Sequence, residues 1–216
     1  MNFVQGSASC AKNFLRFCFF GCCPPHGNIF PYISNMEQAH PAASYFYIRN
    51  GTKKEELTMS LFAEMMKNPK VIGVKNSSMP TQDIQMFKAA GKAAKGDFVV
   101  FNGPDEQFAA GRAIGADGGI GGTYGVMPEL FLKLNELIAA GEREKAAALQ
   151  YDINEIIYKM CSSHANMYAV AKEMLRINAG LDIGGVREPL ENLQEADKAI
   201  AKAAAEMVCA AKAKYL

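Results

Sequence analysis

The chain has 216 residues, half of them hydrophobic, and a formal net charge of +1. That size suffices for one domain, or one domain with an appendage, around a sizeable core. Near-neutral charge argues against a nucleic-acid binder or a polybasic membrane binder, and no apolar run reaches the roughly 18 residues of a membrane span.

Two compositions are joined near His40–Pro41. Residues 1–41 form an irregular leader whose only charges are Lys12, Arg16 and Glu37, with Cys10, Cys18, Cys22 and Cys23 clustered among Phe and Pro. No cysteine pair has C-x-x-C spacing, so free thiols in a reducing compartment are expected, and cytoplasm is the default. The stretch FLRFCFFGCC lacks a small-residue cleavage site after it, which argues against a secretory signal.

From about residue 42 the pattern alternates. Residues 43–48 (ASYFYI) predict a strand, and 57–66 a helix with Leu57, Leu61, Phe62, Met65 and Met66 at helical spacing. Residues 71–74 predict a short buried strand, 80–95 a helix opened by Pro80, and 98–101 (FVVF) a strand. A short helix over 105–114 and a glycine-rich strand or turn at 118–122 (GGIGG) follow. Helices close the chain at 128–140, 142–161, 164–178 and 190–214, the last rich in Ala and Lys. Short strands alternating with helices predict an α/β fold with a parallel sheet and right-handed crossovers. Four such units fit either a small open sheet or half of a closed barrel; the length is short of the roughly 250 residues usual for eight units.

In either layout, ligands sit at the carboxyl ends of the strands. Those ends carry Tyr45, Phe46 and Tyr47; then Lys75, Asn76, Ser77 and Ser78; then Asn102, Gly103, Asp105 and Glu106; then Gly121, Gly122, Thr123 and Tyr124. Lys75 directly follows the apolar VIGV. Low-dielectric walls there disfavour ammonium and leave an amine able to attack a carbonyl and form a Schiff base. The plain alternative is a solvated loop lysine. Tyr47 is a candidate proton carrier, or simply a strand aromatic. Asp105 and Glu106 are either first-turn acids complementing a helix dipole or acceptors for substrate hydroxyls. GGIGG permits close backbone approach, but without G-x-x-x-x-G-K-[ST] or a strand-borne G-x-G-x-x-G it is no nucleotide loop. His26, His40 and His164 have no metal-ligand spacing, so no metal site is expected.

Three segments carry a family resemblance: VIGVKNSS at 71–78, FNGPDEQFAAGRAIGADGGIGGTYG at 101–125, and YAVAKEMLRINAGLDIGGVREPL at 168–190. Together they resemble the N-acetylneuraminate lyase and dihydrodipicolinate synthase family of pyruvate-dependent aldolases. The G-x-D-E…GADGGIG combination favours the N-acetylneuraminate branch. The resemblance covers residues 42–216 and not the leader. It implies a partial (β/α)8 TIM barrel of about four β/α units with extra C-terminal helices. It also implies a homo-oligomer, tetrameric in the family. The implied activity is cleavage of N-acetylneuraminate, a sialic acid, to N-acetylmannosamine and pyruvate, with no cofactor beyond the covalent Schiff base.

Carried over by position, the resemblance makes Lys75 the Schiff-base lysine and Ser77 a hydroxyl lining the substrate channel. Gly103, Asp105 and Glu106 match positions that bind the sugar's hydroxylated tail, and Gly121 matches a glycine whose backbone approaches the substrate. Gly122 stands where these lyases usually carry serine. Counting back from Leu57 without gaps puts Tyr47 at the proton-shuttling position, whereas aligning on Ile48 puts Phe46 there; Tyr47 is favoured. A full member has four more β/α units upstream, including a G-[ST]-T-G-E loop that holds the pyruvyl carboxylate. Residues 1–41 contain none of this. Two expectations follow: a working lyase, or a catalytically silent half-barrel that pairs with a full-length lyase or is a truncated remnant.

Overall fold

The computed structural model describes residues 57–216 in full and, of the remainder, only the strand backbones Val4–Gln5 and Ser44–Ile48. The leader is otherwise outside the described residues. In chain order the elements are β1 (Val4–Gln5), β2 (Ser44–Ile48), α1 (Met59–Met66), β3 (Val71–Asn76), α2 (Gln82–Lys95) and β4 (Val99–Asn102). They continue with a 3-10 turn at Asp105–Gln107, α3 (Phe108–Ala113), β5 (Gly118–Gly119) and a second 3-10 turn at Thr123–Gly125. Helices α4 (Pro128–Ala139), α5 (Arg143–Cys161) and α6 (Met167–Ala179) follow, then a 3-10 turn at Glu195–Asp197 and α7 (Lys198–Tyr215).

The sheet order is β1-β5-β4-β3-β2. Strands β2 to β5 are parallel, joined through helices as the alternation requires. β1 adds an antiparallel edge against β5. The parallel register sets Tyr47 beside Lys75 and Lys75 beside Phe101, then Asn76 beside Asn102 and Asn102 beside Gly119. Four carboxyl ends therefore lie side by side.

Two cores hold this arrangement. The first lies between the sheet and α1–α2: Phe62, Val71, Val74, Ile84, Phe87, Phe98, Val100 and Ala116. Phe62 stacks at 4.9 Å on Phe87 and edge-on at 5.5 Å to Phe98. Thr58 starts α1 by accepting the Leu61 amide at 3.2 Å. The second core joins α3 to the terminal helices through Phe108, Tyr124, Phe131, Leu134, Leu149 and Ile153, with Ala201, Ala204, Ala205 and Val208 of α7. Small residues on that face let α7 approach its neighbours closely, and the alanines also favour the helix itself.

Several boundaries differ from those read in the sequence. Strand β3 runs on to Asn76, so Lys75 lies within the strand and not beyond it. The helix predicted over 105–114 is split into a 3-10 turn and α3, because Asp105 turns its side chain to Thr123 while the Asn102 amide donates to the Pro104 carbonyl at 2.6 Å. Of the 118–122 segment only Gly118–Gly119 pairs as strand. Helix α2 begins at Gln82, past Pro80. Helix α6 begins at Met167, where Asn166 caps it by accepting the Tyr168 amide at 3.0 Å. The last helix begins at Lys198. Asp197 stops it from starting earlier by accepting amides from Gln194 and His164, both at 3.0 Å.

Candidate active site

Strand β3 delivers Lys75 at its penultimate position, in register between β2 and β4. The side chain is only 8% exposed. Loss of solvation lowers its pKa to about 8, and the negative charge of Asp105 pulls the other way. Near neutral pH a useful fraction of this amine is unprotonated, which is the form that attacks a carbonyl.

Asp105 is buried on the turn after β4. Its Oδ2 accepts the Thr123 amide at 2.8 Å and the Thr123 hydroxyl at 2.6 Å. Its Oδ1 is buried without a hydrogen-bond partner among the described residues. Burial raises its pKa; the Thr123 bonds and the Lys75 charge oppose this, and neighbouring Glu106 adds to it. Asp105 thus has one oxygen tying the 121–125 turn to the sheet through Thr123 and the other packed against Gly121. Half-buried Glu106 also acts on the buried Tyr124, whose phenol is pushed up chiefly by burial and then by the Asp105 and Glu106 charges.

The glycines are close-approach positions. A Cβ on Gly121 would overlap the Asp105 carboxylate, and one on Gly103 would overlap the Ser77 hydroxyl. The Gly103 amide donates to the Asn76 carbonyl at 2.7 Å, locking the two loops together. Ser77 and Gly103 therefore meet, as do Asp105 and Gly121. Gly122 is exposed and lies against the ring of Tyr168. Tyr47 is placed beside Lys75 by backbone register, while its side chain is outside the described residues.

Sequence reasoning missed the supports. Gln150 and Asn154 of α5 donate to the carbonyls of Asp105 and Glu106 at 3.2 and 3.3 Å, and Gln150 accepts the Ala109 amide at 2.9 Å. The signal was present as two polar amides at i, i+4 spacing beside the buried Leu149 and Ile153. The Ser78 hydroxyl lies within hydrogen-bond distance of Asn76 Oδ1 at 2.7 Å and Asp83 Oδ2 at 3.0 Å, its one proton serving either, and so holds the loop after β3. Asn76, Ser78, Asn102 and Thr123 stand at the strand ends in the sequence, but nothing there gave them a role. Their roles depend on which strands are neighbours.

Among the described residues no group of three or more His, Cys, Asp or Glu is arranged to hold a metal ion, and no helix is long and apolar enough to cross a membrane.

Comparison with known proteins adds four findings. The model of the dihydrodipicolinate synthetase family matches residues 39–207. The N-acetylneuraminate lyase of Mediterraneibacter gnavus is 63% identical over 160 residues, 74% of this chain and 50% of that protein. The structure of wild-type Ruminococcus gnavus sialic acid aldolase superposes with a TM-score of 0.82 at 54% identity, over 88% of this chain and 64% of that one. A catalytic-lysine mutant of the same aldolase gives 0.82 at 53%, over 88% and 63%. The chain spans about half the length of the curated relatives it matches.

Proposed function

Because the chain belongs to the dihydrodipicolinate synthetase family, we propose that it is the carboxyl half of a (β/α)8 barrel, with a boundary near residue 41. Its Lys75 serves Schiff-base cleavage of N-acetylneuraminate to N-acetylmannosamine and pyruvate. One observation carries the reading: a buried lysine near the carboxyl end of a parallel strand, its pKa lowered to about 8, with a buried carboxylate as its charge partner. The lyase and aldolase names of the relatives, one of them a catalytic-lysine mutant, support it.

The neutral Lys75 amine adds to the ketone carbon of the open-chain acid, and loss of water leaves an iminium. As the C3–C4 bond breaks, its electron pair moves into the iminium to give an enamine. The C4 hydroxyl proton leaves to a base, for which Tyr47, whose backbone pairs beside Lys75, is the candidate together with the substrate's own carboxylate. The aldehyde of the amino sugar departs, C3 of the enamine takes up a proton, and water hydrolyses the imine to release pyruvate. Asp105, Glu106, Ser77 and the backbone at Gly103, Gly121 and Gly122 line the sugar side. The same reading carries a cytoplasmic homo-oligomer.

The test is pyruvate with borohydride, followed by mass spectrometry of peptides. A reduced adduct on the peptide holding Lys75, absent in Lys75→Ala, is the expected result. Folded protein without an adduct overturns the reading in favour of a catalytically silent half-barrel.

A further inference from the structure

Gln150 of α5 is buried beside Leu149 and Ile153 of the second core. An amide among apolar side chains needs its hydrogen bonds filled, and here they are. Its Oε1 accepts the Ala109 amide at 2.9 Å. Its Nε2 donates to the Asp105 carbonyl at 3.2 Å and to Asn154 Oδ1 at 2.8 Å. Asn154, one turn on, donates to the Glu106 carbonyl at 3.3 Å. These partners fix which way both amides point. Neither the Asp105–Gln107 turn nor α3 is capped by the side chain of its own N-cap residue, Pro104 or Gln107. The Ala109 amide at the start of α3 is instead served from α5.

Asp105 is therefore held at two points, its main chain by Gln150 and its carboxylate by Thr123. We propose that Gln150 is a positioning residue for the Lys75 reaction: its amide, backed by Asn154, anchors the turn that bears Asp105 and so fixes how far that carboxylate stands from the amine. The inference rests on the function proposed above and adds the residue that keeps the charge pair in place. Asp105 is the charge that acts on Lys75, and Asp105 in turn feels Glu106 and Lys75. Tyr124, on the turn after β5, is kept neutral chiefly by burial, and Tyr47 of β2 stands beside Lys75 by backbone register. Attraction falls with distance. Moving two unit charges from about 5 to about 6 Å apart shifts proton affinity by roughly 0.4 pH unit at an effective dielectric of about 20.

The experiment labels Lys75 with pulses of acetic anhydride across neutral and alkaline pH and reads the titration midpoint from the mass of its peptide. Gln150→Met keeps the volume and removes both polar atoms. It moves the midpoint down by roughly 0.4 unit, because the carboxylate that favours ammonium is no longer fixed close by. In an Asp105→Asn background the same substitution moves it no further, whereas a general loosening of the fold would act in both backgrounds. Where Gln150→Met does not fold, Asn154→Ala, which removes only the outer amide, carries the same test in the same direction. An unchanged or raised midpoint, or an equal shift in the Asp105→Asn background, overturns the inference. Pyruvate with borohydride is run on the same samples. Trapping without a labelling shift overturns this inference and leaves the Lys75 function standing. A labelling shift in protein that never traps pyruvate removes that function, and the part of Gln150 in it.

Discussion

Two lysine–aspartate pairs sit at opposite ends of the sheet. At the amino ends of β4 and β5, Lys88 reaches both oxygens of Asp117 at 2.7 Å and the Phe98 carbonyl at 2.7 Å. Asp117 in turn accepts the Val100 amide at 2.8 Å. Each group there has its complement of partners, and both remain partly in solvent. At the carboxyl ends, Lys75 and Asp105 are more deeply buried, interact through charge, and leave Asp105 Oδ1 without a hydrogen bond among the described residues. The same residue types thus fasten the fold at one end and store desolvated, incompletely matched polarity at the other. Incomplete matching costs stability but leaves capacity for a ligand.

The largest expected effect that separates the two ends is on the pH dependence of stability. The folded pKa of Lys75 is lowered from 10.5 to about 8. Between those values the unfolded chain binds the extra proton, so stability rises with pH across that window. The burial penalty is fully present below about pH 8. Set against Lys75→Met, the unaltered protein should gain roughly 3 kcal/mol more between pH 8 and 10.5 in denaturant titrations. Equal slopes for the two proteins would mean that Lys75 is solvated, and the contrast between the ends would fail.

Next in size is Gly121→Ala. The new methyl meets a carboxylate that Thr123 holds in place. The expected loss is about 1–3 kcal/mol together with slower adduct formation on Lys75. A methyl accepted without either change would show that Asp105 is free to move.

The smallest effect sharpens the comparison most. Asp105→Asn removes the charge that holds the Lys75 pKa up, so the pH at which the adduct rate climbs should move down. Asp117→Asn should leave that profile in place and cost on the order of 1 kcal/mol of stability. A profile that moved equally in both variants would erase the distinction between the ends.

Much of this was legible in the sequence. Aromatic and β-branched runs at 43–48, 71–74 and 98–101 named three parallel strands to within two residues, because such side chains favour the extended, pleated backbone. The helices at 128–140 and 142–161 were placed almost to the residue, since long stretches carry their period many times over. Shorter elements were less legible. The 105–114 segment split because a side-chain bond from Thr123, eighteen positions away, competes with the helical turn. The start of α7 was set by Asp197 accepting an amide from His164, a partner invisible in local pattern.

By itself the sequence determined the chemistry available: a lysine behind an apolar strand, an acidic pair after Pro104, and a glycine-rich run that permits close backbone approach. These are local properties of residue type and order. Only the tertiary structure decided that Lys75 feels Asp105, that Gly121 touches the Asp105 carboxylate, that α5 braces the acidic turn through Gln150 and Asn154, and that Tyr168 lies over Gly122. Each of these depends on which strands are adjacent and how helices cross their ends. Burial of apolar faces across the whole chain sets that adjacency, and no window of sequence contains it.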